Sequence, residues 1–217
     1  MPSAYAAPEF WEERYRAGQT PWEFSGVPPA LTRFLAANPA GSGGIRREEA
    51  ANPAAPGDTV LVPGCGSGQE LSAFAAAGYA VTAVDFSATA VERARARIPA
   101  GAAVRLQCAD FFTCALPRAG FSLVYERTFV CALAPVRWPV VTGRIAALLR
   151  PEGRWVGLFY EGPKEEGPPF GWDRGEAEHL LRPVLAPVVT LPVPSAESPA
   201  LFAGHEWWRE WRRPTAP

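Results

Sequence analysis

The strand-like run Thr59 to Pro63, followed by Gly64-Cys65-Gly66-Ser67-Gly68 and an apolar pattern at helical spacing through Ala77, constrains this chain most. A short β-branched run that breaks into a glycine turn and resumes as a helix is the opening of a nucleotide-type α/β unit. Such a turn lies at a strand's carboxyl end. Glycines there admit positive φ and let a ligand approach bare backbone. The dinucleotide fingerprint requires its third glycine at position 69, where this chain has Gln69. A nicotinamide dehydrogenase is disfavoured on that ground, and no Lys-Ser/Thr pair follows to make a triphosphate loop.

A second apolar run, Tyr79 to Val84, ends in Asp85. It lies about 20 residues beyond the turn, the spacing of an acid that accepts bonds from both hydroxyls of an unphosphorylated ribose. Ser87 is placed to cap a helix over Ala88 to Arg97. A third run, Ala102 to Leu106, leads to Cys108-Ala109-Asp110-Phe111-Phe112. An acid followed by an aromatic suits an adenine amine and its ring face. The fourth strand, Phe121 to Glu126, is expected beside the first, at the switch point where α/β sheets hold ligands. Glu126 and Arg127 are thus candidates for the reaction zone, or a surface ion pair capping the next helix.

Farther along, a helix is expected over 136–149, a turn at Pro151-Glu152-Gly153 and a strand over Arg154 to Tyr160. Residues 161–171, with Gly167-Pro168-Pro169-Phe170, form a rigid turn and a candidate substrate wall. A helix over 175–182 precedes two strands, Val184 to Val193 and Gly204 to Arg212, which pair as an antiparallel ending. The basic stretch at Trp207 to Arg213 reads as a solvated edge.

Ahead of the first strand, Trp11 and Tyr15 share one face of a helix that opens near Pro8 and stops at Gly18, and Thr20-Pro21-Trp22 adds a further large ring. Two readings of segment 1–37 stand: its rings dock a leading helix on the core, or they form a lid that keeps water from a cationic ligand. A second helix is expected over Pro29 to Ala36, and residues 38–58, without hydrophobic period, form a flexible surface loop inside one domain spanning 1–217.

A net charge of −1 gives no footprint for nucleic acid, and no N-P-P-Y or D-P-P-Y segment for base methylation follows the fourth strand. No stretch reaches the ~20 apolar residues of a membrane span, and Met1 to Phe10 lacks a leader pattern. A cytoplasmic monomer without nucleic-acid or membrane partners is the expectation. Four cysteines without C-x-x-C pairing and two histidines suggest neither a zinc cluster nor a disulfide framework, and Cys65 reads as a small buried filler.

Phe10-Trp11-Glu12-Glu13-Arg14-Tyr15, Thr20-Pro21-Trp22, Leu61-Val62-Pro63-Gly64-Cys65-Gly66, Asp110-Phe111-Phe112, Glu126-Arg127 and Gly167-Pro168-Pro169-Phe170 together resemble the thiopurine S-methyltransferase family, which includes halide/thiol methyltransferases. The resemblance implies a Rossmann-like class I methyltransferase: an α/β fold with a seven-stranded, mostly parallel sheet, an antiparallel last strand and helices on both faces. It implies S-adenosyl-L-methionine as cofactor, S-adenosyl-L-homocysteine as product, a small-molecule nucleophile as partner and no metal. By position, Trp11, Tyr15 and Trp22 match cofactor-covering aromatics, Gly64 the amino-acid end, Asp85 the ribose acid, and Asp110 with Phe111 the adenine pair, and Gly66 of the same turn is a further cofactor-binding candidate. Arg127 matches a position facing the sulfonium and the substrate, where plant halide/thiol enzymes carry Tyr and thiopurine-type enzymes Arg. The implied reaction is in-line methyl transfer to a thiol or sulfide-like nucleophile, with Arg127 favouring the thiolate and Glu126 orienting Arg127 or passing a proton through water. Halide or metalloid methylation, and a non-catalytic module that only binds the cofactor, are the alternatives.

Overall fold

Alternation along the strands gives the sheet two apolar faces, and helices cover both. The computed structural model describes residues 8–41, 57–163, 167–202 and 204–215. Its strands are β1 (Thr59–Pro63), β2 (Ala80–Asp85), β3 (Val104–Cys108), β4 (Phe121–Arg127), β5 (Leu149–Tyr160), β6 (Ala186–Pro192) and β7 (Glu206–Arg212), in the spatial order β3-β2-β1-β4-β5-β7-β6. Neighbours among β1 to β5 pair in parallel, and β7 runs antiparallel to β5 and β6. The helices are α1 (Pro8–Ala17), α2 (Pro29–Ala37), α3 (Leu71–Ala76), α4 (Ala88–Arg97), α5 (Trp138–Leu148) and α6 (Arg174–Leu181).

Leu61 of β1, Val124 of β4 and Trp155 of β5 join one apolar cluster with Trp138 and Ile145 of α5 and Leu181 of α6. Their chain neighbours Val60, Val62, Leu123, Tyr125 and Val156 join a second one with Leu31 and Phe34 of α2 and Leu71 and Phe74 of α3. Both faces being covered, β1 and β4 read as continuous apolar runs instead of alternating ones. β1 connects onward to β2 on one side while β4 lies on its other side. A crevice opens where neighbouring connections diverge in this way, above the strands' carboxyl ends.

Two local expectations change. The turn at 151–153 is an excursion inside β5: Glu152 takes φ +63°, and pairing with β4 resumes from Arg154 onward. The stretch Trp207 to Arg213 is not a solvated edge, because β7 is inserted between β5 and β6. Two of its charges are paired inside the sheet, Arg209 with Glu161 and Glu210 with Arg154 at 2.9 Å, while Arg212 at the strand's end is exposed and pairs with Glu152 at 3.0 Å. The edge role falls to β6, where Pro187 and Pro192 withhold ladder donors.

Of the loop expected over 38–58, residues 42–56 lie outside the described residues. Its start is anchored: Asn38 accepts from Arg154 Nη2 at 2.8 Å on its side chain and from Tyr79 Oη at 2.7 Å on its carbonyl. Among the described residues no helix is long and apolar enough to cross a membrane.

Gly157 of β5 stands opposite Glu126 of β4, and a Cβ there would run into the Glu126 carbonyl oxygen. Gly157→Ala is expected to cost ~3 kcal/mol by overpacking, read as a lower urea midpoint at unchanged slope. Gly143→Ala on α5, where a Cβ meets nothing within 4 Å, is the control and should be neutral or stabilising. Equal midpoints for wild type and Gly157→Ala would contradict the β4–β5 register.

Candidate active site

The turn after β1 is built by close approach. Gly64, Gly66 and Gly68 take φ of +57°, +52° and +71°. A Cβ on Gly64 would lie 2.5 Å from Phe129 Cδ2, and one on Gly66 2.5 Å from the Tyr15 hydroxyl oxygen. A side chain at either position would therefore displace a ring from a different part of the chain. Between them Cys65 is buried, and desolvation pushes its thiol well above the ordinary range, as befits a filler.

Over this turn lie α1 and the stretch 20–24. Trp22 meets Trp11 edge-on at 5.3 Å and Tyr15 at 5.9 Å, and its indole N–H donates to the Tyr15 hydroxyl at 3.3 Å. Two carboxylates tie the segment down. Glu12 accepts from Ser87 Oγ at 2.6 Å, from Thr89 Oγ1 at 2.7 Å and from Thr89 N at 3.2 Å, and pairs with Arg16 at 3.0 Å. It thus sits at the amino end of α4, where Ser87 is the N-cap, accepting from Ala90 N, and the helix dipole favours an anion. The bonds from Ser87 and Thr89 hold its carboxyl down at about 2. Glu23 accepts from Ser67 N at 3.1 Å and from the Ser67 hydroxyl, so the far end of the segment is fastened to the glycine turn itself. Neither acid carries a local signal in the sequence, because the Ser87, Thr89 and Ser67 partners lie far along the chain.

Between this segment and the ends of the central strands is a cavity of ≈ 630 Å³, within the range of small-molecule sites. Trp11, Tyr15, Trp22, Gly64, Asp85, Asp110 and Phe111 all line it. Gly66 and Arg127 line instead an adjoining recess of ≈ 30 Å³, which shares Tyr15, Trp22, Gly64 and Thr128 with the cavity. Asp85 accepts from Gly66 N and Ser87 N, each at 2.9 Å, and desolvation lifts its carboxyl to about 6. Asp110 is exposed, with Oδ1 accepting from Phe112 N at 2.8 Å. Phe111 is only 3 % exposed, its ring spent on edge contacts with Phe112 and Phe129. Phe112 is less buried, carries the Arg137 guanidinium 4.0 Å from its centroid and also lines the cavity. The only signal for it was its place in the Phe111-Phe112 pair.

Glu126 and Arg127 do not engage each other. Arg127 pairs with Glu70, both side chains under a tenth exposed, and its Nη2 has no hydrogen-bond partner. Glu126 is 1 % exposed and lines neither space; its Oε1 accepts from Phe129 N at 3.2 Å and Val130 N at 3.0 Å. Neither a surface ion pair nor Glu126 orienting Arg127 survives this geometry, because consecutive strand residues project to opposite faces. Burial lifts Glu126 to about 8, so near neutral pH it is mostly the uncharged acid, which suits a carboxyl whose Oε2 is also unpartnered.

The arrangement offers a small organic molecule two acids, a bare-backbone turn and an aromatic cover. Residues 6–188 match the family model described as Thiopurine S-methyltransferase (TPMT). The chain is 31% identical over 180 residues to Probable thiol methyltransferase 2 of Arabidopsis thaliana, covering 80% of this chain and 72% of that protein. It is 27% identical over 210 residues to Thiocyanate methyltransferase 1 of Brassica oleracea, covering 94% of this chain and 84% of that protein. The crystal structure of Burkholderia thailandensis 1,6-didemethyltoxoflavin-N1-methyltransferase, with 1,6-didemethyltoxoflavin and S-adenosylhomocysteine bound, superposes with a TM-score of 0.71 at 22% identity over 99% of this chain and 91% of that one. The fold is that of the class I methyltransferases.

The Glu12 clamp yields a pH-dependent prediction. Its carboxyl is depressed from the ordinary 4.5 to about 2, so the stability it adds is fully present above 4.5 and is lost as pH falls through 2. Glu12→Gln is expected to cost roughly 1–2 kcal/mol above pH 5. The difference from wild type, followed by thermal melts, should shrink as pH falls from 4.5 towards 2. A pH-independent difference would contradict an ionised clamp.

Proposed function

The chain belongs to the thiopurine S-methyltransferase family, matching its model over residues 6–188, and from that premise we propose that it is an S-adenosylmethionine-dependent methyltransferase acting on a small thiol or sulfide-like nucleophile. What supports the reading is the convergence of the Gly64 turn, Asp85 and Asp110 on one cavity beneath Trp11 and Trp22. When bound, S-adenosylmethionine supplies a methyl group already activated on a sulfonium, so the protein's task is mainly positioning. Asp85 accepts from the ribose hydroxyls, Asp110 from the adenine amine, and the glycine turn admits the amino-acid end. The rings of segment 8–24 exclude water and present π faces to a cation.

A thiol acceptor must be ionised before it attacks, and a free thiol has a pKa of about 8.5. Arg127 provides a fixed positive charge in the recess that adjoins the cavity, although Glu70 offsets much of its field. The cavity is also lined by Leu133, Pro168, Pro169, Leu201 and Phe202, which favours a thiol with an apolar body. A second reading, methylation of a halide or metalloid anion, draws on the recess: it has room for one or two water-sized groups and is lined, beside Glu23 and Glu70, by Arg127 and Tyr125, whose Nη2 and Oη lack hydrogen-bond partners.

A labelled-methyl assay with hydrogen sulfide, methanethiol, an aromatic thiol, iodide and tellurite separates these readings. Thiols are expected to turn over fastest, with rates that rise as pH approaches the thiol pKa. A pH-flat reaction confined to iodide or tellurite would establish the second reading, and cofactor binding with no transfer at all would leave a binding module. Calorimetry with S-adenosylhomocysteine should show affinity falling as pH drops below about 6, where Asp85 takes up a proton. Asp85→Asn should abolish that dependence.

A further inference from the structure

Immediately after Arg127 the backbone does something costly. Thr128 takes φ +58°, a conformation that β-branched residues rarely adopt. The other non-glycine residues at positive φ among those described, Ala119 and Glu152, are not β-branched and line neither the cavity nor the recess. Such a conformation persists only where the surroundings impose it. Here both flanks are fixed. On one side Arg127 is bound to Glu70; on the other the buried Glu126 carboxyl holds the amides of Phe129 and Val130. The Phe129 ring then occupies the space that the missing Gly64 side chain leaves.

The left-handed kink has a geometric result. It parts the chain so that Arg127 faces the recess, Phe129 faces the cavity, and Thr128 lines both. The Thr128 hydroxyl has no hydrogen-bond partner among the described residues. An unengaged donor at the junction of the cofactor cavity and the recess that holds Arg127 suits an acceptor atom that bears charge when it reacts. We propose that Thr128 is an acceptor-binding residue whose hydroxyl donates a hydrogen bond to the ionised sulfur of the thiol, and that Glu126 is the positioning residue that holds it there. This rests on the methyl-transfer reading above. The hydroxyl keeps its own proton; the thiol proton leaves to solvent before attack.

Three variants test it: Thr128→Val, which is isosteric and equally β-branched, Thr128→Ser, which keeps the hydroxyl, and Thr128→Gly, which relieves the backbone. Each is compared with wild type in thiol kcat and KM, pH–rate profile, S-adenosylhomocysteine affinity and melting temperature. Thr128→Val should retain cofactor affinity within about twofold while kcat/KM falls about ten- to a hundredfold, the loss of one charge-assisted hydrogen bond. Its pH–rate profile should shift upward, because the bound thiol is harder to ionise. Thr128→Ser should stay within a few-fold of wild type. Thr128→Gly should melt about 2–4 °C higher yet transfer as poorly as Thr128→Val. A fully active Thr128→Val, or one that loses cofactor affinity in step with rate, overturns the proposal and leaves the methyltransferase reading intact. A wild-type chain that transfers methyl to none of the thiols overturns both.

Discussion

The want of a side chain at positions 64 and 66 governs the cleft. Three parts of the chain meet at that turn: the end of β1, the Tyr15 ring from the leading helix and the Phe129 ring from the segment after β4. Each ring stands where a Cβ would be. The cover and the floor of the cavity are therefore packed against the same few backbone atoms. Positive φ at both glycines is what allows the amides to turn inward, Gly66 N reaching the Asp85 carboxylate at 2.9 Å. The acid proposed to take a ribose is thus held by the turn proposed to take the rest of the same ligand.

Around that turn, chemically similar carboxyl groups do different work because their surroundings differ. Glu12 and Glu23 are saturated by hydroxyl and amide donors and act as fasteners for the aromatic cover. Glu70 is matched to Arg127 and keeps a buried guanidinium tolerable. Glu126, with two amide donors but no cation, is pushed towards its neutral form and shapes the backbone beyond it. Of the carboxyl groups among the described residues, only those of Asp85 and Asp110 line the large cavity. Burial and the donors or cation around each carboxyl set these roles.

Much of the fold was legible because its signals are local. Val60 to Val62 and Phe121 to Tyr125 announce buried strands, Ser87 announces a helix start, and the place of the fourth strand beside the first follows from the switch point at the glycine turn. Trp11, Tyr15, Trp22, Asp85 and Asp110 were also legible, since each sits at a fixed offset from a recognisable element. What escaped was non-local. The insertion of β7 between β5 and β6 depends on pairings such as Arg209 with Glu161, which no window of sequence contains. Glu12 meets Ser87 and Glu23 meets Ser67 only once the leading helix is laid across the sheet. The adjacency of Glu126 and Arg127 suggested a working pair, yet strand alternation sends them apart. The left-handed backbone at Thr128 had no sequence signal, because a β-branched residue is the last expected there.

A crystal structure with S-adenosylhomocysteine tests the central claim most directly, namely that the β1 turn and the carboxyl ends of β2 and β3 form one adenosyl site under a fastened aromatic cover. The expected result is density in the ≈ 630 Å³ cavity, with ribose hydroxyls on Asp85, the adenine amine near Asp110 and the segment bearing Trp11 and Trp22 in place above them. Ligand density elsewhere, or a ribose that avoids Asp85, would contradict it.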